Sequence, residues 1–267
     1  MIQFMATRKQ WTHDDLLVAF RLYCRTPFGR LHRLNPEIIK LSELMGRTPS
    51  SVGMKACNFA SLDPVQQARQ IKGLGNVSRD DRQLWEAFQE NADATAAEAE
   101  AAYARLVGNQ TPPAENELAA DAELVPPTGP TEELRTVRAR RVQGFFRAAV
   151  LASYNFRCAI SGIALPELLN ASHIIPWQKD TKRRADPRNG IALNALYDRA
   201  FDRGLITFDE SFRLVLSARL RAKAKSQSVP EQLKHWFYTL EGTKINLPRR
   251  FTPDPDALAF HRETIFR

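Results

Sequence analysis

The chain has 267 residues, 43% of them hydrophobic and 25% charged, and carries a net charge of +8. That length suits one large or two modest domains with a real apolar core. No N-terminal apolar run resembles a signal peptide and no stretch is long enough to cross a bilayer, while Cys24, Cys57 and Cys158 are too few and too scattered for a disulfide framework or a four-cysteine zinc site. A reduced, cytoplasmic protein is the expectation.

The charge is unevenly placed. Basic against acidic residues number 13 to 9 over 1–91, 1 to 7 over 92–130, and 24 to 14 over 131–267. Two basic bodies on an acidic connector suit a polyanion, because binding that neutralises phosphates releases counterions. Charge that only keeps the chain soluble would look the same.

Residues 1–10 carry no clear pattern and are expected to fray. Thr12 with Asp15 forms an N-cap pair, and Leu16, Leu17, Phe20 and Tyr23 continue one helical face. Asn35-Pro36 opens a second helix, buried through Ile38, Ile39, Leu41 and Leu44 and stopped by Gly46. Thr48-Pro49 caps a third, running through Val52 and Met54 toward Phe59. Helix, tight turn, helix is helix-turn-helix grammar, in which the third helix would offer Arg47, Ser50, Ser51, Lys55 and Asn58 to DNA. A three-helix bundle with a wet polar face is the plainer alternative. Ser78 with Asp81 caps a further helix, whose Leu84, Trp85 and Phe88 would pack on the first three.

From Asp93 to Leu106 the composition turns Ala/Glu-rich, which favours helix and buries little. Residues 108–131, with Pro112-Pro113, Pro126-Pro127 and Pro130, form an extended linker. The expected division is therefore a helical DNA-recognition domain over 1–91, a connector over 92–131 and a second domain over 132–267. That domain would open on a helix carrying Arg135, Arg138, Arg140, Arg141 and Arg147, with Phe145, Phe146, Val150 and Leu151 as its buried stripe. Phe156–Ser161 is a candidate strand and Leu168–Ile175 its return. Asp209-Glu210-Ser211 joins Leu205–Phe208 to Phe212–Leu216 as a hairpin. Trp236, Phe237 and Tyr238 are a candidate buried anchor near the end.

The richest stretch is 168–208. His173 closes a short apolar run as one imidazole at a strand exit. After the turn at Asn189-Gly190, an apolar pattern at Ile191, Leu193, Leu196 and Phe201 predicts a helix on which Asp198 and Asp202, four apart, share a face. Gly204 stops it. An imidazole facing two stacked carboxylates would hold one divalent cation beside a general base. Taken singly, His173 could be a core histidine, Asp198 a partner of Arg199, and Asp202 a cap on the helix end.

Four blocks, RRVQGFFRAAVLASYNFRCAISG (140–162), LLNASHIIPW (168–177), NGIALNALYDRAFDRGLITF (189–208) and PRRFTPDPDALAFHR (248–262), together resemble the HNH, or ββα-metal, nuclease family, and specifically its bacterial restriction-endonuclease-like branch. The resemblance implies an α+β chain: an N-terminal all-helical, helix-turn-helix-like domain, a linker, and a C-terminal ββα-metal HNH domain that hydrolyses DNA phosphodiesters. In that pattern His173 is the general base and Asn189 ties down the loop and helps orient it. Asp198 stands where the family has its final His or Asn, and Asp202 where some members place a further ligand. The letters are thus H-N-D, and two carboxylates favour Mg²⁺ or Mn²⁺ over Zn²⁺. Many members carry an acidic ligand before the His, where this chain has Ser172, and paired CxxC zinc ribbons, where it has a lone Cys158; no structural zinc is expected. Arg183, Arg184 and Arg188 would hold substrate phosphate or be ordinary loop charge. The partner implied is DNA, with no membrane; cutting both strands would call for a two-fold homodimer. The competing expectation is a DNA-binding regulator whose HNH-like half is a non-catalytic scaffold.

Overall fold

A computed structural model of the chain describes residues 9–71, 77–108, 130–226 and 229–267. Most of the expected frayed start and nearly all of the Pro-rich linker lie outside these residues.

The front half is helical, each helix opening on a cap that its sequence advertises. In α1 (His13–Arg25), Thr12 Oγ1 accepts from Asp15 N while the Asp15 carboxylate accepts from Thr12 N. In α2 (Pro36–Leu44) Asn35 is the cap and proline takes the first turn, whose N–H has no helical partner to lose. Gly46, at φ +59°, turns the chain into α3 (Pro49–Ala60), capped by Thr48. Short α4 (Pro64–Ala68) follows, then α5 (Arg79–Glu90), with a reciprocal Ser78–Asp81 cap, and α6 (Ala92–Leu106). Every residue of α1 from Leu16 to Cys24 is buried, so this helix is the axis of the bundle.

The Ala/Glu-rich stretch does not behave as expected. Ala92, Ala96, Ala99 and Ala102 of α6 are at most 2% exposed and lie in the same core as α1. Alanine adds little apolar area, but it lets two helix backbones approach closely. Glu100 is buried there too, accepting from Arg21 Nε at 2.8 Å.

Helix α7 (Pro130–Ser153) serves two cores at once. Val142, Phe145 and Ala149 face the helical bundle, whereas Phe146, Val150 and Leu151 face a second cluster built around a small sheet. That sheet pairs β1 (Leu169–His173) antiparallel with β2 (Gly190–Asn194), setting Ser172 opposite Ile191 and His173 opposite Gly190. Helix α8 (Ala195–Asp202) follows without a break, capped by Asn194, whose side chain accepts from Tyr197 N at 3.0 Å. The pattern at Ile191 and Leu193 is therefore a strand, not the start of the helix. The expected strand at 156–161 is also absent. Asn155 and Phe156 adopt φ +51° and +55°, and Cys158 accepts from Gly162 N, so the segment folds back on itself. It meets β2 by scattered bonds and not a ladder: Ala159 N donates to Ala192 O, while Asn194 donates to Cys158 Sγ and Ser161 Oγ.

The expected hairpin forms as β3 (Ile206–Phe208) against β4 (Leu214–Leu216). Helices α9 (Ala218–Ser226), α10 (Glu231–Trp236) and α11 (Pro255–Thr264) complete the chain. Of the candidate aromatic anchor, Phe237 is buried and Trp236 is 43% exposed. The mixture is α+β, rich in helix with two small sheets. Among the described residues, no helix is long and apolar enough to cross a membrane.

Candidate active site

The β1–β2–α8 unit sets the geometry. Its tightest point is Gly190, where a Cβ would lie 2.5 Å from Val150 Cγ2 and 2.7 Å from Phe146 Cζ, so only glycine lets α7 lie against the strand. Asn189, 1% exposed, accepts from Ile175 N at 2.8 Å and donates to Ile175 O at 3.1 Å. One buried amide thus closes both ends of the 175–189 loop by satisfying two backbone groups that would otherwise be orphaned.

His173 lies at the exit of β1 with its ring 3.7 Å from that of Phe146 and nearly parallel to it, and edge-on to Trp177. Its Nε2 is 3.0 Å from Arg184 O. A carbonyl only accepts, so that nitrogen carries the proton and Nδ1 holds the lone pair. Burial pushes the imidazole pKa down to about 4, against a small upward pull from the Arg184 carbonyl, and the ring is neutral at pH 7.

Asp198 is held from the other side of the strand. Asn170 Nδ2 donates to it at 2.6 Å and Ser172 Oγ also donates to it. Residues 170 and 172 alternate with 173, and side chains on a strand alternate between faces. His173 therefore makes its contacts with α7 and the loop, whereas Asp198 makes its own with β1. Among the described residues, no hydrogen bond or ion pair joins His173 to Asp198 or Asp202. Strand alternation thus gives the imidazole and the Asp198 carboxylate different protein contacts.

Asp202 follows one turn along α8, exposed as a residue. Desolvation of its carboxyl, then the charge of Asp198, push its pKa up to about 6, against Arg199 and Arg203. This acidic pair, with the Ser172 hydroxyl and the Asn170 amide, offers hard oxygen donors. Among the described residues no three His, Cys, Asp or Glu side chains gather as a ready metal cage. One or two carboxylates with waters and a substrate phosphate are nevertheless how Mg²⁺ is usually held. The residues present fit that ion better than a fully protein-ligated metal.

Residues 158–209 match a family model described as HNH endonuclease. The segment is of the HNH family. No curated protein matches the chain. The HNH match covers the hairpin, loop and helix that carry His173, Asn189, Asp198 and Asp202, and stops at the first strand of the following hairpin. HNH nucleases generally use divalent metal ions, and the match points to metal-dependent nuclease chemistry on DNA.

The residues expected to touch DNA divide sharply. Lys55 is buried and gives Nζ to both Asp81 oxygens at 3.0 and 3.1 Å, and buried Asn58 donates to the same carboxylate at 3.3 Å. Arg47 donates to Asp15 at 2.7 Å and to two backbone carbonyls, with its guanidinium over Trp11. These three are internal struts: a donor-rich helix face in the sequence is a polar seam between α1, α3 and α5. Ser50 remains exposed and Ser51 half-buried at the start of α3. In the loop, Arg183 pairs with Asp180 and Asp254, and Arg188 with Asp186. Arg184 lies over Trp177, and its Nε is buried without a partner among the described residues.

Sequence reasoning missed Asn170, which binds Asp198. Its spacing of two from Ser172 on a strand is the signal that could have found it. It also misses Phe146, the plate under His173, which the sequence shows only as part of a buried stripe.

Proposed function

We propose that the chain is a metal-dependent DNA endonuclease, of restriction or another defensive type, with the helical front half contributing to DNA binding. The observation that carries this reading is the HNH match lying on a unit whose loop is pinned by Asn189 and whose helix presents an acidic pair. Phosphodiester hydrolysis needs an activated water and charge relief at phosphorus. His173 accepts the proton of water at Nδ1, its ring held by Phe146 and by the Arg184 carbonyl. Asn189 is a positioning residue, acting through the loop that carries Arg184. Asp198 and Asp202 would hold the cation, Mg²⁺ or Mn²⁺, which when bound would supply charge neutralisation at the phosphate. His173 and the carboxylates make no direct bond to one another, and the scissile phosphate would lie between them. Arg184, whose carbonyl meets His173 Nε2 and whose Nε has no partner among the described residues, is the loop arginine that we assign to that phosphate.

A second reading, a DNA-binding regulator with a silent HNH-like half, is favoured by one observation. Ser172 spends its hydroxyl on Asp198 where many HNH nucleases carry an acid. Duplex DNA incubated with the protein and Mg²⁺ or Mn²⁺ decides between them. Cleavage that His173→Ala abolishes while binding persists supports the endonuclease. Normal cleavage by that variant removes His173 as base, and tight binding without cutting under any divalent cation supports the regulator.

A further inference from the structure

The loop between β1 and β2 holds His173 by a backbone carbonyl, that of Arg184, and a carbonyl is only as well placed as the chain that carries it. Asn189 closes the two ends of this loop at Ile175 and leaves its middle to other contacts. Arg183, the residue next to Arg184, supplies them. Its Nε donates to Asp180 Oδ2 at 2.7 Å and its Nη1 to Asp254 Oδ2 at 2.8 Å. Asp180 belongs to the loop itself and also accepts from the backbone N–H groups of Lys182 and Arg183, so the charge of Arg183 is answered locally. The pair with Asp254 is not needed for neutrality. It crosses 71 positions of sequence to fasten the loop to another part of the fold.

That part is the body that carries the acidic pair. Asp254 caps α11, its Oδ1 accepting from Asp256 N at 2.9 Å, and the helix buries Ala257 and Leu258 in the second core. Further along α11, His261 stacks on Phe201 of α8 and bonds its carbonyl at 3.1 Å, and Phe201 stands between Asp198 and Asp202 in sequence. Asp254 N donates to Arg188 O at 2.9 Å, a second strap on the same loop. Capping alone does not account for this residue. Asn or Ser caps a helix about as well and needs one acceptor oxygen for it, whereas here the second oxygen and the backbone N–H both go to the loop. Asp254 also lies outside residues 158–209, which match the HNH endonuclease model.

We propose that Asp254 is a positioning residue for the imidazole of His173, acting through Arg183 and the Arg184 carbonyl. Its carboxylate grips Arg183, and the next carbonyl along the chain is thereby held against His173 Nε2. A carbonyl at that nitrogen keeps the proton on Nε2 and the lone pair on Nδ1. Through α11 the same carboxylate ties this arrangement to α8. The catalytic importance of Asp254 rests on the reading of His173 as general base, but the tautomer it enforces can be read without cleavage.

Asp254→Asn keeps the α11 cap and the side-chain volume while removing the carboxylate from Arg183, and circular dichroism checks the fold. In the full chain, free of DNA and divalent cation, the ring ¹⁵N resonances of His173, assigned by their loss in His173→Ala, should report one tautomer, protonated at Nε2. Asp254→Asn and Arg183→Gln should each bring in the form protonated at Nδ1. In cleavage of duplex DNA with Mg²⁺, each variant should lower kcat about tenfold and change KM by less than about twofold. The double variant should be no worse than either alone, because the two residues act as one unit. Unaltered ring resonances in Asp254→Asn would overturn the proposal, as would losses that multiply in the double variant. A loss carried by KM would also overturn it, by placing Arg183 on DNA instead of on the loop. If His173→Ala cleaves normally while Asp254→Asn still shifts the ring resonances, the base assignment falls and the positioning of the ring stands; the reverse pattern keeps the base and removes Asp254.

Discussion

At the scale of single residues, two histidines decide how the protein responds to acid. His173 lies on Phe146, and His261 is 1% exposed, stacked 3.7 Å over Phe201 with Nδ1 at Thr207 and Nε2 at Phe201 O. Desolvation lowers both from 6.5 to about 4. Between those values the unfolded chain takes up protons that the folded chain refuses, so both contributions are complete above pH 6.5 and are lost as pH falls toward 4. Asp202, raised from 3.8 to about 6, has the opposite sign, favouring the folded state on the acid side and losing that contribution as pH rises through 6. It is one exposed group against two enclosed rings. Stability should therefore drop from pH 7 to pH 5, by about 1–2 kcal/mol per histidine. Thermal unfolding across that range checks it, and His261→Gln should flatten the slope. A midpoint that does not move with pH would show that neither ring is buried neutral.

The segment that carries the candidate site is legible in the sequence, because His173, Asn189 and Asp198 stand at spacings that resemble the HNH pattern and lie within the matched residues 158–209. What spacing did not convey is direction. Ser172 and His173 are neighbours in sequence and opposite in the strand, and that single alternation sends the imidazole to α7 and the hydroxyl to Asp198.

At the scale of elements, caps and turns were the most readable features. Thr12–Asp15, Asn35-Pro36, Thr48-Pro49 and Ser78–Asp81 all start helices where the residues say they should. Errors arose where two periods overlap. Ile191 and Leu193 satisfy a two-residue repeat as well as a helical one, and the cap at Asn194 was the missed boundary marker. Polar faces misled for a related reason, since Lys55 on α3 looks solvated until α5 delivers Asp81 across 26 positions of sequence. Asp81 also accepts from Ser78 N, so one carboxylate both caps α5 and anchors α3. Asp81→Ala should cost about 3–5 kcal/mol, because it strands a buried ammonium, as urea denaturation would show. Lys55→Met, compared at equal folded fraction, should bind DNA as tightly as the parent; a fall in affinity would return Lys55 to the interface.

At the scale of the whole molecule, the sequence suggested bodies joined by a connector, and composition is a fair guide to where chain is apolar or proline-rich. It says nothing of which elements are shared. Arg250, 1% exposed, comes from near the C-terminus and donates to Tyr23 O and Cys24 O at the end of α1, and Phe251 stacks on Trp85. Such long-range contacts are set by tertiary packing, not by any local pattern.

The double-sided helix α7 has a mechanical corollary. Opposite faces of one rigid rod are clamped by different cores, so neither half can melt without pulling a wall out of the other. Heat or urea should then produce one transition, seen alike by tryptophan emission from the bundle side, where Trp85 is buried and Trp11 and Trp177 pack, and by circular dichroism of the whole chain. Two resolved steps would mean that the rod can be released from one neighbour while still gripped by the second.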